Sequence, residues 1–262
     1  MTTPDLLNTR TLRQRLSAGR EALGMWLGIT DALAVEAIAA DCSLDWVLLD
    51  MEHGGGGWRD LQQVLLGWKN STVPLLIRPP SHDQKFLMRA LDLGVSGFVI
   101  PFVNTVEEAT DLAAACRYPP RGIRGVAPRR VSHHYTKTDQ YLASANDDVF
   151  VMVQIEHKTA VEHVEDIAKS DVDGLFIGPG DMSHSYGLPG QIDHPTMVSA
   201  IERVINAGKV NGKPIAMAVD DTPSAVVTRI NQGIQLVTIG LDWMFLREGM
   251  NAQANATREL LS

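Results

Sequence analysis

Val47-Leu48-Leu49-Asp50-Met51-Glu52-His53-Gly54-Gly55 opens as an unbroken apolar run and ends on carboxylates, an imidazole and glycine. A run without polar alternation is what a strand buried on both faces requires, as in a parallel sheet. The glycines from Gly54 to Gly57 let the backbone turn sharply and pass close to a ligand. The stretch therefore reads as a strand that hands reactive side chains to a loop at its carboxyl end.

The same beat repeats on both sides. Upstream, residues 4–18 form an amphipathic helix (Leu6, Leu7, Leu12, Leu16), and 24–29 form strand one. A helix then runs from its N-cap Asp31 to about 40. Strand two spans 45–50, and its helix spans 58–68. Strand three is 74–78 with a helix over 83–93, and strand four is 97–101 with a helix over 105–116. That last helix opens on a capping box, Thr105 with Glu108. Residues 118–148 interrupt the rhythm with YPPRGIRGVAPRR, His133-His134-Tyr135 and a helix around 138–145, a connection long enough to suggest function. The beat resumes with strand five (149–155) and a helix (160–168), then strand six (174–178) and a Gly- and Ser-rich loop to about 193. A helix to 209, strand seven (214–219), a helix over 222–231, strand eight (235–239) and a final helix over 243–261 complete the chain. Eight strand-then-helix units specify a (β/α)8 TIM barrel, and one domain over 1–262.

Composition sets the outer bounds. The chain has 262 residues, 45% of them hydrophobic and 21% charged, which describes a globular protein with material for a large core. A formal net charge of −8 argues against a nucleic-acid partner. Two cysteines, Cys42 and Cys116, read as buried thiols in a reducing compartment. No secretory signal opens the chain and no run is long enough for a membrane span, so a soluble, cytoplasmic protein is expected.

A barrel of this kind carries its chemistry at the carboxyl ends of its strands. Reading that rim gives Asp50, Glu52 and His53 after strand two, Arg78 after strand three, Glu156 after strand five and Asp181 after strand six. Two carboxylates on neighbouring strands, Glu156 and Asp181, are hard oxygen donors that suit Mg²⁺ or Mn²⁺ better than zinc. His157 follows Glu156 directly, but alternation turns it away from its neighbour. Spacing alone leaves open whether Asp50 or Glu52 orients His53.

The segments LLDMEHG, IRPP, YPPRGIRG, VQIE and FIGPGDMS, in this order, resemble the HpcH/HpaI family of metal-dependent (class II) pyruvate aldolases. The likeness runs from about Gly24 to Leu246. It implies reversible cleavage of a 4-hydroxy-2-oxo acid to pyruvate and an aldehyde, as in the breakdown of aromatic compounds. It implies a divalent cofactor, Mg²⁺, Mn²⁺ or Co²⁺, on Glu156 and Asp181. Arg78 would bind the substrate carboxylate and stabilise the enolate oxygen, and His53 would be the acid/base group oriented by Asp50. Gln154 and Gly180 would line the substrate, and Arg124 would lie on a loop that closes over it. Asp92 would reach a neighbouring subunit's site in a homohexamer, a trimer of dimers whose C-terminal helix is exchanged between subunits. Gly180 stands where some relatives have alanine, and the Gly54–Gly57 run is richer than usual.

The rival readings are few. A Schiff-base aldolase needs a lysine at a strand's carboxyl end, and none of Lys69, Lys85, Lys137, Lys158, Lys169, Lys209 and Lys213 qualifies. A phosphate-binding barrel would use the loops after strands seven and eight, which here carry Asp220, Asp221 and Asp242. An oxaloacetate decarboxylase or a CoA-thioester lyase would share the metal–enolate chemistry. An inactive barrel serving as a binding module is the alternative outside enzymes.

Overall fold

The structure, a computed structural model, describes residues 9–219 and 222–261. The start of the first helix and the loop acids Asp220 and Asp221 lie outside these residues. Eight parallel strands form a closed barrel: β1 (Ala22–Leu27), β2 (Trp46–Asp50), β3 (Leu75–Arg78), β4 (Gly97–Ile100), β5 (Phe150–Ile155), β6 (Gly174–Ile177), β7 (Ile215–Ala218) and β8 (Leu236–Leu241). Each strand pairs with its sequence neighbours, and β8 closes the ring on β1.

The two-residue period of a strand sorts the apolar residues into two layers. Trp46, Leu48, Leu76, Val99, Phe150, Met152 and Phe176 fill the barrel interior. Leu12 and Leu16, from the helix Arg10–Ser17, join that cluster and close the end where the strands begin. The alternate residues, among them Val47, Leu49, Ile77, Phe98, Val151 and Val153, form the layer between strands and helices. Continuing the interior parity upward puts Asp50 above Leu48, Arg78 above Leu76, and Gln154 and Glu156 above Met152. The rim residues are thus aimed at the barrel axis by the same alternation that packs the core.

The helix starts follow the capping chemistry of the sequence. Asp31 Oδ1 accepts from the amides of Leu33 and Ala34 at 3.1 and 3.0 Å. Thr105 Oγ1 accepts from Glu108 N at 3.2 Å, while Glu108 Oε2 accepts from Thr105 N at 3.2 Å. Three expectations change. The loop after β6 contains a short helix, Pro179–Ser185, because proline at its first position supplies the helical φ without needing a donor. The helix expected around 138–145 divides into Thr138–Leu142 and Ala145–Asp148, and the one after β5 into Lys158–Glu162 and Val164–Ile167. No helix among the described residues is long and apolar enough to cross a membrane.

Candidate active site

The register of β2 against β3 sets Asp50 beside Arg78. The guanidinium forks onto that carboxylate, Nε to Oδ1 at 2.9 Å and Nη2 to Oδ2 at 2.8 Å. Its Nε also lies 3.2 Å from Glu52 Oε2, and its carbon sits 4.5 Å from the centre of the Trp26 ring. Two acids and an aromatic face therefore hold one cation in a single orientation. Burial acts to raise the Asp50 carboxyl, but Arg78, with help from the amides of His53 and Glu52, holds it below its ordinary value. At Glu52 burial prevails over Arg78 and His53, and the carboxyl is raised.

Across the rim stands Glu156, only 1% exposed. Its Oε1 accepts the backbone N–H of Phe102 at 2.6 Å, and its Oε2 accepts Gln154 Nε2 at 2.5 Å. Burial, reinforced by the negative charges of Asp181 and Glu52, lifts its carboxyl to about 7 against the pull of the Phe102 amide and Arg78. Asp181 sits in the first turn of the Pro179–Ser185 helix, close enough for its charge to act on both Glu156 and Glu52. Gly178 makes the close approach possible: a Cβ there would lie 2.6 Å from Glu156 Oε2 and 2.7 Å from Gln154 Nε2. At Gly180 a Cβ would meet nothing within 4 Å, so the space there is open.

His53 stands at the edge of this group, with its side chain 67% exposed. Its imidazole Nε2 lies 3.8 Å from Glu52 Oε2, whereas Asp50 receives only its backbone N–H, at 3.3 Å. The structure thus brings Asp50 to Arg78, and the carboxylate nearest the imidazole is Glu52.

Residues 22–248 match the HpcH/HpaI aldolase/citrate lyase family. The chain belongs to that family. It is 35% identical to a pyruvate aldolase of Rhizobium etli over 243 residues, 92% of this chain and 95% of that protein. It is 31% identical to a 5-keto-4-deoxy-D-glucarate aldolase of Klebsiella pneumoniae over 247 residues, 93% of this chain and 95% of that protein. The crystal structure of an HpcH/HpaI aldolase/citrate lyase family protein from Burkholderia cenocepacia superposes with a TM-score of 0.86 at 33% identity, covering 96% of this chain and 99% of that one. As a member of this aldolase family the chain is a carbon–carbon lyase.

Two expected site residues of this HpcH/HpaI aldolase lie elsewhere in its own chain. Arg124 Nη2 donates to Asp92 Oδ1 at 2.7 Å, and the guanidinium packs 4.4 Å from the centre of the Tyr118 ring, fully buried. Asp92 is near the last turn of the helix Gln84–Leu93, which runs back toward the start of the strands; Ser96, just beyond it, accepts from the first amide of β3. The Arg124 loop therefore does not cover the rim of its own barrel. His157 caps the helix Lys158–Glu162, its Nδ1 accepting from Thr159 N at 3.2 Å, and so turns away from Glu156. Three residues of the site went unnoticed in the sequence: Trp26, Phe102 and Gly178. Of these only Gly178 carried a signal, a glycine at the end of a buried strand directly before Pro179.

Proposed function

We propose that the protein is a divalent-metal-dependent pyruvate aldolase, reversibly cleaving 4-hydroxy-2-oxo acids to pyruvate and an aldehyde. The observation that carries this reading is a clamped guanidinium, Arg78, facing a buried carboxylate, Glu156, at one rim. The donors there fit a hard cation. The negative charge of Asp181 adds to the cost of ionising Glu156, and the buried Gln154 Oε1 has no hydrogen-bond partner. Among the described residues no group of three or more His, Cys, Asp or Glu is arranged to hold an ion alone. Glu156 and Asp181 would therefore hold it together with water and substrate oxygens, the habit of Mg²⁺ and Mn²⁺. When bound, the cation supplies Lewis acidity toward the oxygens of a 2-oxo acid.

The chain's own groups do the rest. Arg78 spends Nε and Nη2 on Asp50, and this fixed fork presents positive charge to a substrate carboxylate or a developing enolate oxygen. His53, beside Glu52, exchanges a proton with the hydroxyl of the cleaved bond, a task suited to imidazole near neutral pH. No strand of the barrel contains a lysine, and Lys213 Nζ donates to the carbonyls of Ser170 and Val172 at the far end. A Schiff base thus has no amine inside the barrel. The pyruvate and keto-deoxy-sugar-acid aldolases among the relatives support the same class of substrate.

Assembly belongs to the proposal. The helix Asp242–Leu261 has only Asp242 buried and leaves Trp243, Phe245, Leu246 and Met250 exposed along it. A second copy would cover them, in keeping with an exchanged C-terminal helix in a homohexamer. Asp92 would then serve a neighbouring copy's site rather than its own.

The test is a chelator-stripped enzyme assayed for pyruvate release from a panel of 4-hydroxy-2-oxo acids. Activity should be absent until Mg²⁺, Mn²⁺ or Co²⁺ is added, and borohydride with pyruvate should leave the protein unmodified. Chelator-resistant cleavage or a trapped adduct would refute the metal mechanism. Faster turnover of oxaloacetate or a malyl-type thioester would move the protein to a decarboxylase or CoA-thioester lyase.

A further inference from the structure

Phe102 holds a conformation that its own side chain does not explain. It follows β4 with φ of 51°, in the left-handed region that a bulky L-residue enters only under constraint. The residue is 43% exposed, so packing of the phenyl group is a poor reason for the strain. The surrounding chain enforces the turn. The Phe102 carbonyl accepts Asn104 Nδ2 at 3.0 Å, the Pro101 carbonyl meets His82 Nε2 at 2.5 Å, and the Asn104 amide donates to Glu108 Oε2 at 2.7 Å. What the conformation delivers is one N–H, donated to Glu156 Oε1.

We infer that Phe102 is a positioning residue whose left-handed backbone fixes the Glu156 carboxylate for cation binding. This rests on the metal-dependent reading above. With Phe102 N on one oxygen and Gln154 Nε2 on the other, each Glu156 oxygen has one lone pair engaged. The carboxylate plane is then set, and the remaining lone pairs are left for a ligand. Backbone strain kept at such a place is retained because the neighbouring structure over-determines it. The function of residue 102 lies in its main chain.

The test compares Phe102→Gly, Phe102→Asn and Phe102→Val by Mn²⁺ titration of chelator-stripped protein, followed by electron paramagnetic resonance. Glycine and asparagine accept the left-handed region, so both variants should bind Mn²⁺ within about twofold of wild type. Valine resists it, and that variant should bind about tenfold more weakly. Equal affinities across the series, or tight binding by the valine variant with weak binding by the other two, would overturn the inference. Wild-type protein that binds no Mn²⁺ would instead refute the metal-dependent reading, and the inference with it. A second measurement covers a valine variant that fails to fold. In metal-free wild type the Phe102 amide proton should resonate far downfield and move on Glu156→Gln, and an amide resonance indifferent to that change would equally overturn the inference.

Discussion

Replacing Glu156 with glutamine should make the metal-free protein more stable, and only above mildly acidic pH. Burial raises this carboxyl from its ordinary 4.5 to about 7 in the folded chain. The folded state therefore binds a proton more tightly than the unfolded state does. Stability from this group is fully present below about pH 4.5 and is lost as pH rises through about 7. At about 1.4 kcal/mol for each pH unit, the gap corresponds to about 3 kcal/mol withheld from the wild type at pH 8. Glutamine has the same shape, still accepts the Phe102 N–H, and can pair with a flipped Gln154 amide. Urea denaturation in chelator, at one protein concentration, should find Glu156→Gln and wild type alike at about pH 4. By pH 8 the variant should be ahead by about 3 kcal/mol. Mn²⁺ at about a thousand times its dissociation constant should reverse the order, since such an excess adds about 4 kcal/mol to the chain that binds it. A variant less stable than wild type at pH 8, or a difference that ignores pH, would refute the assigned burial cost.

Three further substitutions separate the parts of the site. Arg78→Lys keeps the charge but loses the fork onto Asp50, and kcat/KM for pyruvate release should fall by about 10²- to 10³-fold; a loss under threefold would remove Arg78 from the chemistry. Gly178→Ala presses a methyl group onto Glu156 and Gln154, whereas Gly180→Ala enters open space. Calorimetry should therefore show weakened Mn²⁺ binding in the first and unchanged binding in the second, and equal behaviour would contradict the geometry. Trp26→Leu withdraws the aromatic face beneath Arg78, so the guanidinium loses about 1–2 kcal/mol of positioning. A rise in KM for the 4-hydroxy-2-oxo acid is expected, and an unaltered KM and kcat would discount the stacking.

The barrel was legible because parallel strands buried on both faces leave long apolar runs, and their two-residue period carries upward to Asp50, Gln154 and Glu156. Local chemistry was equally legible at Asp31 and Thr105, whose caps depend on neighbours three residues away. Pairings between strands were harder to read. That Asp50 belongs to Arg78 rather than to the His53 ring follows from the β2–β3 register, which nothing in either segment states. Arg124 was placed over the rim by the resemblance of its YPPRGIRG segment to the family, not by any local physical signal. Its half-buried partner Asp92 lies on the helix Gln84–Leu93 and draws it to the barrel flank. Phe102 left no trace at all, since its contribution is a backbone amide that every residue but proline possesses.

The filled interior of the barrel, stoppered by Leu12 and Leu16, turns the protein into a vessel with one mouth. Whatever sits deepest at the strand ends must arrive first and depart last. On the proposed reaction, the three-carbon acid would be that deeper guest, held between Arg78 and Glu156. On that proposal the aldehyde would work from outside it, and turnover would run in a compulsory sequence dictated by packing rather than by affinity.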